Sequence, residues 1–307
     1  MSAALRIGSR GSKLALWQAE WVKAALARHG TAAEIVVIKT RGDAEIDRPF
    51  QQMEGKGFFT KEIEDALLAE RIDLAVHSLK DLPTKLPDGL TLGPVPERAD
   101  TRDALIARAG ETLAALPAGT KLGTSSLRRM AQVRHLRPDL ELVPLRGNVP
   151  TRVAKVLERG ELDAAVLACA GLGRLGLDGK IAARLDPLEV MPAPGQGALG
   201  LELRSDDART AAALAPLGHL PSAAGVTAER ALLATLGGGC QAPVAAYAAG
   251  TGEGGMGNGR LYGRVTAPDG TMQLTASAEI DPADPAAAGR TVARLLQEQG
   301  AGKFLAR

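Results

Sequence analysis

The sequence contains the stretch Gly123-Thr124-Ser125-Ser126-Leu127-Arg128-Arg129, which joins a short apolar segment to a helical pattern. Apolar side chains recur every three residues from Leu127 to Leu136, which predicts a helix that begins near Ser126. Hydroxyls and free backbone N–H groups at a helix start, followed directly by two guanidiniums, are typical of a carboxylate or phosphate site. A similar turn, Leu145-Arg146-Gly147-Asn148, precedes a helix that contains Arg152. We therefore expect a polyanionic ligand, with ordinary surface arginines as the alternative.

Predicted strands alternate with predicted helices on both sides of this stretch. Ahead of it lie strands at 5–7, 34–39 and 72–76, with helices at 13–28 and 61–70 between them. The second of these helices has Thr60 as a candidate N-cap. The pattern restarts in strands at 104–107, 121–123, 140–145 and 164–168. Strands separated by helices predict parallel sheets that bind ligands at the carboxyl ends of their strands.

Two segments rich in Pro and Gly, 94–100 and 191–197, mark the ends of these α/β units. The apolar strand 198–203 follows the second segment, which suits a chain that crosses back through a hinge into the first unit. After Pro221, a helix at 225–236, β-like segments and a helix near 288–299 indicate an α+β domain. We therefore expect an α/β protein with two periplasmic-binding-protein-like domains, a hinge and a smaller C-terminal α+β domain. The expected bounds are 1–97 with 198–217, then 98–197, then 218–307.

The composition excludes several classes of protein. With 307 residues, 45% of them hydrophobic and 23% charged, the chain suits a globular protein of two or three domains. A net charge of +2 and 3% aromatic residues give little support to nucleic-acid binding. Two cysteines and four scattered histidines predict neither a disulfide framework nor a metal site. Because no signal peptide or membrane-length apolar run is present, we expect a cytoplasmic protein without a membrane partner.

The two cysteines occupy different contexts. Cys240 follows three glycines, and a thiol in such a loop is accessible enough to attack an electrophile or to carry a covalent group. The alternative is that Cys240 is only a small residue in a tight turn. Cys169 ends an apolar segment that is typical of a buried strand, so we expect a structural thiol there.

Polar side chains also follow predicted strands in the first unit. Lys80 and Asp81 lie at the end of one strand, and Arg10 and Ser12 follow another. An ionised Asp81 could hydrogen-bond an N–H group or stabilise a developing cation, although an aspartate here can also simply start a turn. The polar loop between residues 42 and 60 has the length and glycines of a lid, and a plain surface loop fits it equally well.

Seven motifs run in order along nearly the whole chain. They are Thr40-Arg41-Gly42-Asp43, Gly55-Lys56-Gly57-Phe58-Phe59, Val76-His77-Ser78-Leu79-Lys80-Asp81, Gly123-Thr124-Ser125-Ser126-Leu127-Arg128-Arg129, Leu145-Arg146-Gly147-Asn148, Pro194-Gly195-Gln196-Gly197-Ala198 and Gly238-Gly239-Cys240-Gln241-Ala242-Pro243. Together they resemble the porphobilinogen deaminase family, with high specificity through about Val244 and only agreement of length and pattern beyond. Gly11 replaces the Gln of some relatives and leaves Arg10 and Ser12 in place.

The resemblance implies a transferase of porphyrin and haem biosynthesis that joins four porphobilinogen molecules head to tail and releases ammonia at each step. It also implies a dipyrromethane cofactor, attached through a thioether at Cys240, and a catalytic carboxylate at Asp81 that contacts pyrrole N–H groups. The other implied cofactor-binding residues are Lys80, Thr124, Ser126, Arg128, Arg129 and Arg146. The implied substrate-binding residues are Arg10, Ser12, Arg152, Arg174 and Gln196, and the implied lid residues are Lys56 and Phe59. We expect a monomer whose partner is the small-molecule substrate.

Two other classes of protein fit part of this pattern. Two α/β lobes with a hinge and anion-binding helix starts are also typical of a solute receptor of the periplasmic type and of the effector domain of a regulator. The alternative function is therefore a cytoplasmic anion-binding receptor or effector domain without catalysis. The absence of a signal peptide speaks against the receptor, and the absence of a helix-turn-helix segment speaks against the regulator. Neither class needs a Gly-Gly-Cys loop in a third domain.

Overall fold

The computed structural model describes residues 4–40, 60–108, 112–237, 242–250 and 259–305. The chain divides into two compact units, Met1–Arg98 with Ala198–Ala223 and Ala99–Gly197 with Ala224–Arg307. The predicted lid residues Lys56 and Phe59 and the predicted cofactor cysteine, Cys240, lie outside the described residues. The three-domain division expected from the sequence stays a prediction.

Strands and helices alternate through much of the described chain. In chain order, the strands are β1 (Leu5–Ser9), β2 (Ala33–Val37), β3 (Leu74–Ser78), β4 (Leu90–Leu92), β5 (Asp103–Ala107), β6 (Lys121–Gly123), β7 (Glu141–Val143), β8 (Ala164–Ala168), β9 (Ala183–Arg184), β10 (Leu199–Arg204), β11 (Val244–Ala249), β12 (Gly259–Thr266) and β13 (Gln273–Ile280). The α-helices are α1 (Lys13–Arg28), α2 (Lys61–Leu68), α3 (Leu127–Leu136), α4 (Val149–Leu157), α5 (Cys169–Arg174), α6 (Ala208–Leu214), α7 (Leu220–Thr235), α8 (Pro285–Glu298) and α9 (Gly302–Leu305). A 3₁₀ turn, Leu79–Asp81, follows β3 directly.

Two five-stranded sheets share one strand arrangement, and both are mixed, so the prediction of parallel sheets is wrong for β5 and β10, which run antiparallel to their neighbours. The first has the order β2-β1-β3-β10-β4, with β1 parallel to β2 and β3, and β10 antiparallel to β3. The second has the order β7-β6-β8-β5-β9, with β6 parallel to β7 and β8, and β5 antiparallel to β8. In each sheet, the antiparallel strand begins at the edge where the parallel strands end. Leu199 of β10 therefore lies opposite Ser78 of β3, and Asp103 of β5 lies opposite Ala168 of β8. We call this edge of each sheet its carboxyl edge.

The C-terminal part of the second unit is a smaller α+β structure. Strands β11, β12 and β13 form an antiparallel sheet. Helix α8 covers one face, where Val292 and Leu296 are buried in one core with Leu261 and Val265 of β12. The predicted α/β class with a smaller C-terminal α+β part is therefore confirmed. Among the helices of the described ranges, none is both long enough and apolar enough to cross a membrane.

Two local predictions are wrong. Thr60 precedes α2 but has φ −119° and ψ −32°, and its side chain makes no capping hydrogen bond. An N-cap side chain reaches the first N–H groups from an extended backbone, which Thr60 does not adopt. The helix expected at 225–236 begins earlier, at Leu220. Pro221 fits the first turn of this helix, because a proline there lacks only an N–H that has no partner within the helix.

Candidate functional site

The end of β1 carries two of the predicted site residues. Arg10 follows the strand and is partly buried. Ser12 caps α1, because its hydroxyl accepts a hydrogen bond from the N–H of Ala15 at 3.3 Å. The strand-to-helix turn expected from the sequence is therefore present.

The end of β3 carries the predicted catalytic carboxylate. Asp81 is exposed and Lys80 is partly buried, and both lie in the 3₁₀ turn that follows the strand. This turn is attached to the start of β10, because the N–H of Leu79 donates to the carbonyl oxygen of Ala198 at 3.0 Å. Asp81 is thus an exposed carboxylate on a short turn whose first residue is fixed to the sheet.

A buried polar group lies beside the same strand. His77 is buried, and its Nε2 lies 3.1 Å from a carboxylate oxygen of Glu202 on β10, which is also buried. Glu64 of α2 is buried as well, and burial raises the pKa of its carboxyl. These side chains lie within the first unit among its buried residues, which gives His77 a structural position.

The second sheet places Arg128 and Arg129 in the first turn of α3, at its carboxyl edge. Both are buried, with 5% and 7% of their surface exposed, and both bind the fully buried carboxylate of Asp103. Nη2 of Arg128 lies 2.9 Å from Oδ2, and Nη2 of Arg129 lies 2.6 Å from Oδ1. Each guanidinium also donates through Nη1 to a backbone carbonyl, of Met191 and Val166 respectively. The two side chains are therefore held in place by contacts within the protein.

The predicted substrate residue Gln196 joins the same group. Its amide nitrogen donates to Oδ1 of Asp103 and to the carbonyl oxygen of Thr101, each at 2.8 Å. Burial by itself raises the pKa of Asp103, but the charges of Arg128 and Arg129 and the hydrogen bonds hold it well below its usual range. Burial lowers the pKa of Arg128, against the opposing effect of Asp103. Asp103 is therefore an ionised carboxylate that binds three predicted site residues.

Two adjacent turns bring the remaining hydroxyls and arginines of this edge together. The Ser125 hydroxyl exchanges hydrogen bonds with the backbone of Leu145, with both its carbonyl oxygen and its N–H at 3.0 Å. Ser126 caps α3, and Thr124 is buried directly before it. The turn after Leu145 contains Arg146, so the neighbouring strands β6 and β7 place both motifs at one edge.

Two further arginines donate to backbone carbonyls. Nε of Arg152 donates to the carbonyl oxygen of Gly147 at 2.7 Å, which ties α4 to the turn that precedes it. Nη2 of Arg174, at the end of α5, donates to the carbonyl oxygen of Gly197 at 2.6 Å. Burial lowers the pKa of Arg174 to about 10. Both side chains are thus fixed near strand ends of the second unit.

The structure groups the predicted residues by unit. The carboxyl edge of the first sheet carries Arg10, Ser12, Lys80 and Asp81, and the second unit carries Thr124, Ser126, Arg128, Arg129, Arg146, Arg152, Arg174 and Gln196.

Sequence reasoning missed Asp103, although a lone charged residue stands directly before the apolar run Ala104–Ala107. That signal does not say which edge Asp103 occupies, because the antiparallel direction of β5 follows from pairing with β8.

Glu229 of α7 was also missed. It is fully buried, and its two carboxylate oxygens accept hydrogen bonds from the N–H groups of Gly195 at 2.8 Å and Ala248 at 2.9 Å. It therefore ties the segment that carries Gln196 to β11. The apolar setting of Glu229 in its helix gives no sequence signal for this role.

The described cysteine has the structural character expected of it. Cys169 is a free buried thiol, and burial raises its pKa to about 12. Because the thiolate is the reactive form, Cys169 is inert near neutral pH.

Solved structures of solute-binding proteins are similar to the chain in fold alone. One is a putative methionine-binding lipoprotein from Bacillus subtilis, at 13% identity and TM-score 0.43 over 70% of this chain and 89% of that one. Another is a periplasmic substrate-binding protein of an ABC transporter from Coxiella burnetii, at 15% identity and TM-score 0.43 over 74% of this chain and 96% of that one.

Curated relatives match the whole length of the chain. A porphobilinogen deaminase from Roseiflexus sp. is 50% identical over 308 residues and covers 100% of both chains. Those from Ralstonia nicotianae and Chromobacterium violaceum are 50% and 51% identical, over 98% of this chain and 91% and 96% of their own. The family model "Porphobilinogen deaminase, dipyromethane cofactor binding domain" matches residues 5–212, and "Porphobilinogen deaminase, C-terminal domain" matches residues 223–298. The chain belongs to the porphobilinogen deaminase family.

Proposed function

We propose that this chain is a hydroxymethylbilane synthase, a transferase that joins four porphobilinogen molecules head to tail and releases ammonia at each step. The two family models and relatives at about 50% identity over the full length support this assignment. The structural observation that carries it is the arginine pair, in which two buried guanidiniums share the single carboxylate of Asp103. Each porphobilinogen brings an acetate and a propionate, which are the groups that guanidiniums bind best.

The residues of the second unit fit a dipyrromethane cofactor by their chemistry. Among the described residues, Nε of Arg128 and Nε of Arg129 are buried and have no hydrogen-bond partner, so the protein does not use every N–H donor of the pair. Thr124, Ser126, Arg128, Arg129 and Arg146 of this unit would hold those carboxylates. Lys80 and the N–H-binding Asp81 are the cofactor-binding residues that we assign in the first unit. When bound, the group supplies a tethered pyrrole to which the growing chain is joined. Attachment through a thioether at Cys240 is supported by its glycine loop and by the inert state of Cys169.

Asp81 is the residue that we assign to the chemistry. As ammonia leaves the aminomethyl arm of porphobilinogen, the C–N electron pair departs with it, and positive charge spreads onto the ring nitrogen. A carboxylate beside that nitrogen stabilises the charge, which is often the largest single contribution in catalysis. The unsubstituted α-carbon of a neighbouring pyrrole then forms the new C–C bond and loses its proton. The exposed position of Asp81 on a fixed turn suits contact with such a substrate.

The remaining assignments complete the proposal. Arg10, Ser12, Arg152, Arg174 and Gln196 bind the substrate and the growing chain, and Lys56 and Phe59 belong to a lid.

The protein acts in the cytoplasm as a monomer. The free thiol of Cys169 suits a reducing compartment. The large apolar side chains exposed among the described residues are spread along the chain, at Trp17, Val37, Leu68, Leu188, Leu220 and Met272. Light scattering on the purified protein tests the monomer, and a molar mass of twice the chain would contradict it.

The mass of the purified chain and of its peptides tests the cofactor assignment. Active enzyme should carry a two-pyrrole adduct on the peptide that contains Cys240, and should convert porphobilinogen to hydroxymethylbilane with release of ammonia. Cys240→Ser should accumulate as folded protein without the adduct, whereas Cys169→Ser should keep it. An unmodified Cys240 in active enzyme, or an adduct on Cys169, would contradict the assignment.

A further inference from the structure

The charge balance around Asp103 is unequal. Within the described part of the chain, Asp103 is the one carboxylate within ion-pair distance of Arg128 and Arg129. Two guanidiniums and one carboxylate leave a net charge of +1 among three side chains that are all buried. A buried charge without a partner is costly, so an arrangement of this kind favours binding of an anion.

The hydrogen bonds of the pair show which donors are in use. Asp103 accepts from Nη2 of both arginines, and both Nη1 atoms donate to backbone carbonyls. Both Nε atoms are buried, and neither has a hydrogen-bond partner within the described ranges. The orientation of each guanidinium is thus set by Asp103 and the backbone, and these two hydrogen bonds use only two of its five N–H donors.

Gln196 completes the surroundings of the carboxylate. It shares Oδ1 of Asp103 with Arg129, so that this oxygen accepts two hydrogen bonds. The amide carries no charge and leaves the net charge of the group at +1. Asp103 is therefore the side chain that decides whether the pair has one unbalanced charge or two.

We infer that Asp103 is a positioning residue that orients Arg128 and Arg129 and cancels one of their two charges, and so limits how tightly they hold ligand carboxylates. This inference rests on the proposed binding of carboxylates by the pair. A growing chain of pyrroles must be bound and also moved at each addition. An arginine pair with both charges unbalanced would bind each carboxylate more strongly and release it more slowly.

The effect on carboxylate affinity distinguishes this role from a purely structural one. Asp103→Asn keeps the shape of the side chain but raises the net charge to +2. We expect propionate, a single-carboxylate probe, to bind at least about tenfold more tightly than to the unaltered chain, given the strength of charge interactions at an effective dielectric constant near 20. If Asp103 only braced the arginines, the same variant would bind propionate equally well or more weakly.

The attached cofactor would itself occupy the arginine pair, so Cys240→Ser is added to every protein compared, the otherwise unaltered chain included. The measurement is thermal unfolding of each full chain while sodium propionate replaces sodium chloride at constant total salt. Asp103→Glu keeps the charge and should restore an affinity within about threefold of the unaltered chain. Asp73→Asn is the matched control, because Asp73 is a buried aspartate of the first unit that binds Arg6 and directly precedes β3. We expect it to lower the midpoint of unfolding without changing the dependence on propionate.

A charge-balanced variant covers the case in which Asp103→Asn does not fold. Asp103→Asn combined with Arg129→Gln again leaves a net charge of +1, on Arg128 alone, and should fold and bind propionate within about tenfold of the unaltered chain. Unchanged or weaker binding in Asp103→Asn, or no binding in the folded double variant, would overturn the inference about Asp103. No response to propionate in any of the proteins, the unaltered chain included, would instead overturn carboxylate binding by the pair and the inference with it.

Discussion

At the scale of single residues, two aspartates of similar chemistry occupy opposite environments. Asp103 is fully buried and accepts hydrogen bonds from two arginines and a glutamine. Asp81 is exposed, on a turn beside the start of β10. A buried carboxylate suits positioning, whereas an exposed carboxylate on a fixed turn can meet a substrate. Burial thus separates the two roles that we propose.

Substitutions of Asp81 test its electrostatic role. Asp81→Asn keeps the shape but removes the charge, and we expect turnover to fall by about a thousandfold or more, since a contribution of several kcal/mol is lost. Asp81→Glu displaces the charge by about one methylene, so some turnover should survive while bound intermediates accumulate. Single-turnover kinetics on protein verified to carry its cofactor measures both variants.

Asp88→Asn is the control for these variants, because Asp88 is another exposed aspartate, on the loop between β3 and β4. It should retain ordinary turnover. If Asp81→Asn turned over as fast as Asp81→Glu, Asp81 would act by position alone and the electrostatic role would belong to another group.

At the scale of elements, α3 connects the arginine pair to the C-terminal part of its unit. Its first turn carries Arg128 and Arg129. Further along, the amide oxygen of Gln132 accepts a hydrogen bond from Nη1 of Arg264 on β12 at 3.0 Å. Near its end, Nη1 of Arg134 donates to the carbonyl oxygen of Pro268 at 2.7 Å. One helix therefore fixes both the pair and the strand next to β11.

The contact between α7 and α8 depends on a glycine. A Cβ at Gly289 would overlap the carbonyl oxygen of Ala228 and lie 2.7 Å from the Cβ of Ala231. We expect Gly289→Ala to lower the free energy of unfolding by about 1–3 kcal/mol through overpacking. Gly302→Ala is the control, because no atom lies within 4 Å of its Cβ position. It should be neutral or stabilising by up to about 1 kcal/mol.

Urea unfolding followed by circular dichroism compares the two glycine variants. An equal loss of stability in both would show that chain flexibility, and not the contact between α7 and α8, sets the cost of the added methyl group.

At the scale of the whole molecule, buried ion pairs link stability to pH. Burial raises the pKa of Asp73, but hydrogen bonds and charge from Arg6 more than offset this, and its pKa is lowered. The pKa of Asp103 is lowered because the charges of Arg128 and Arg129 and its hydrogen bonds more than offset its burial. Both carboxyls therefore stay ionised in the folded chain at pH values where the unfolded chain has begun to bind protons. The stability that they contribute is complete above the unfolded pKa, near 4, and is lost as pH falls towards the folded values.

We expect the free energy of unfolding to decrease as pH falls from about 5 towards 2, because the unfolded chain binds more protons in this range. Asp73→Asn should reduce the slope, since one of the responsible carboxyls is removed. Urea midpoints at several pH values measure this. Asp163→Asn, at the exposed pair with Arg108, should alter the slope less. If Asp73→Asn showed the same slope as the unaltered chain, Asp73 would not contribute to the pH dependence of stability, and the assignment would be contradicted.

The sequence by itself determined the features that depend on a few neighbouring residues. Alternation of apolar segments predicted the α/β units, and Ser12 and Ser126 lie at helix starts because their hydroxyls serve N–H groups three residues ahead. Contiguous motifs identified the family, since each motif can be read from a few consecutive residues. Thr60 failed as a cap because its backbone conformation is set by more than its own side chain.

Only the tertiary structure decided the environment of the arginines. Asp103 precedes Arg128 by 25 residues and meets it because β5 pairs antiparallel with β8, which brings the start of one strand to the end of the other. Gln196 reaches the same carboxylate from 93 residues away. Strand direction and such distant contacts arise from packing of the whole unit, and no local pattern encodes them. The types of residue at the site were therefore legible in the sequence, whereas their burial and shared charge follow from the fold.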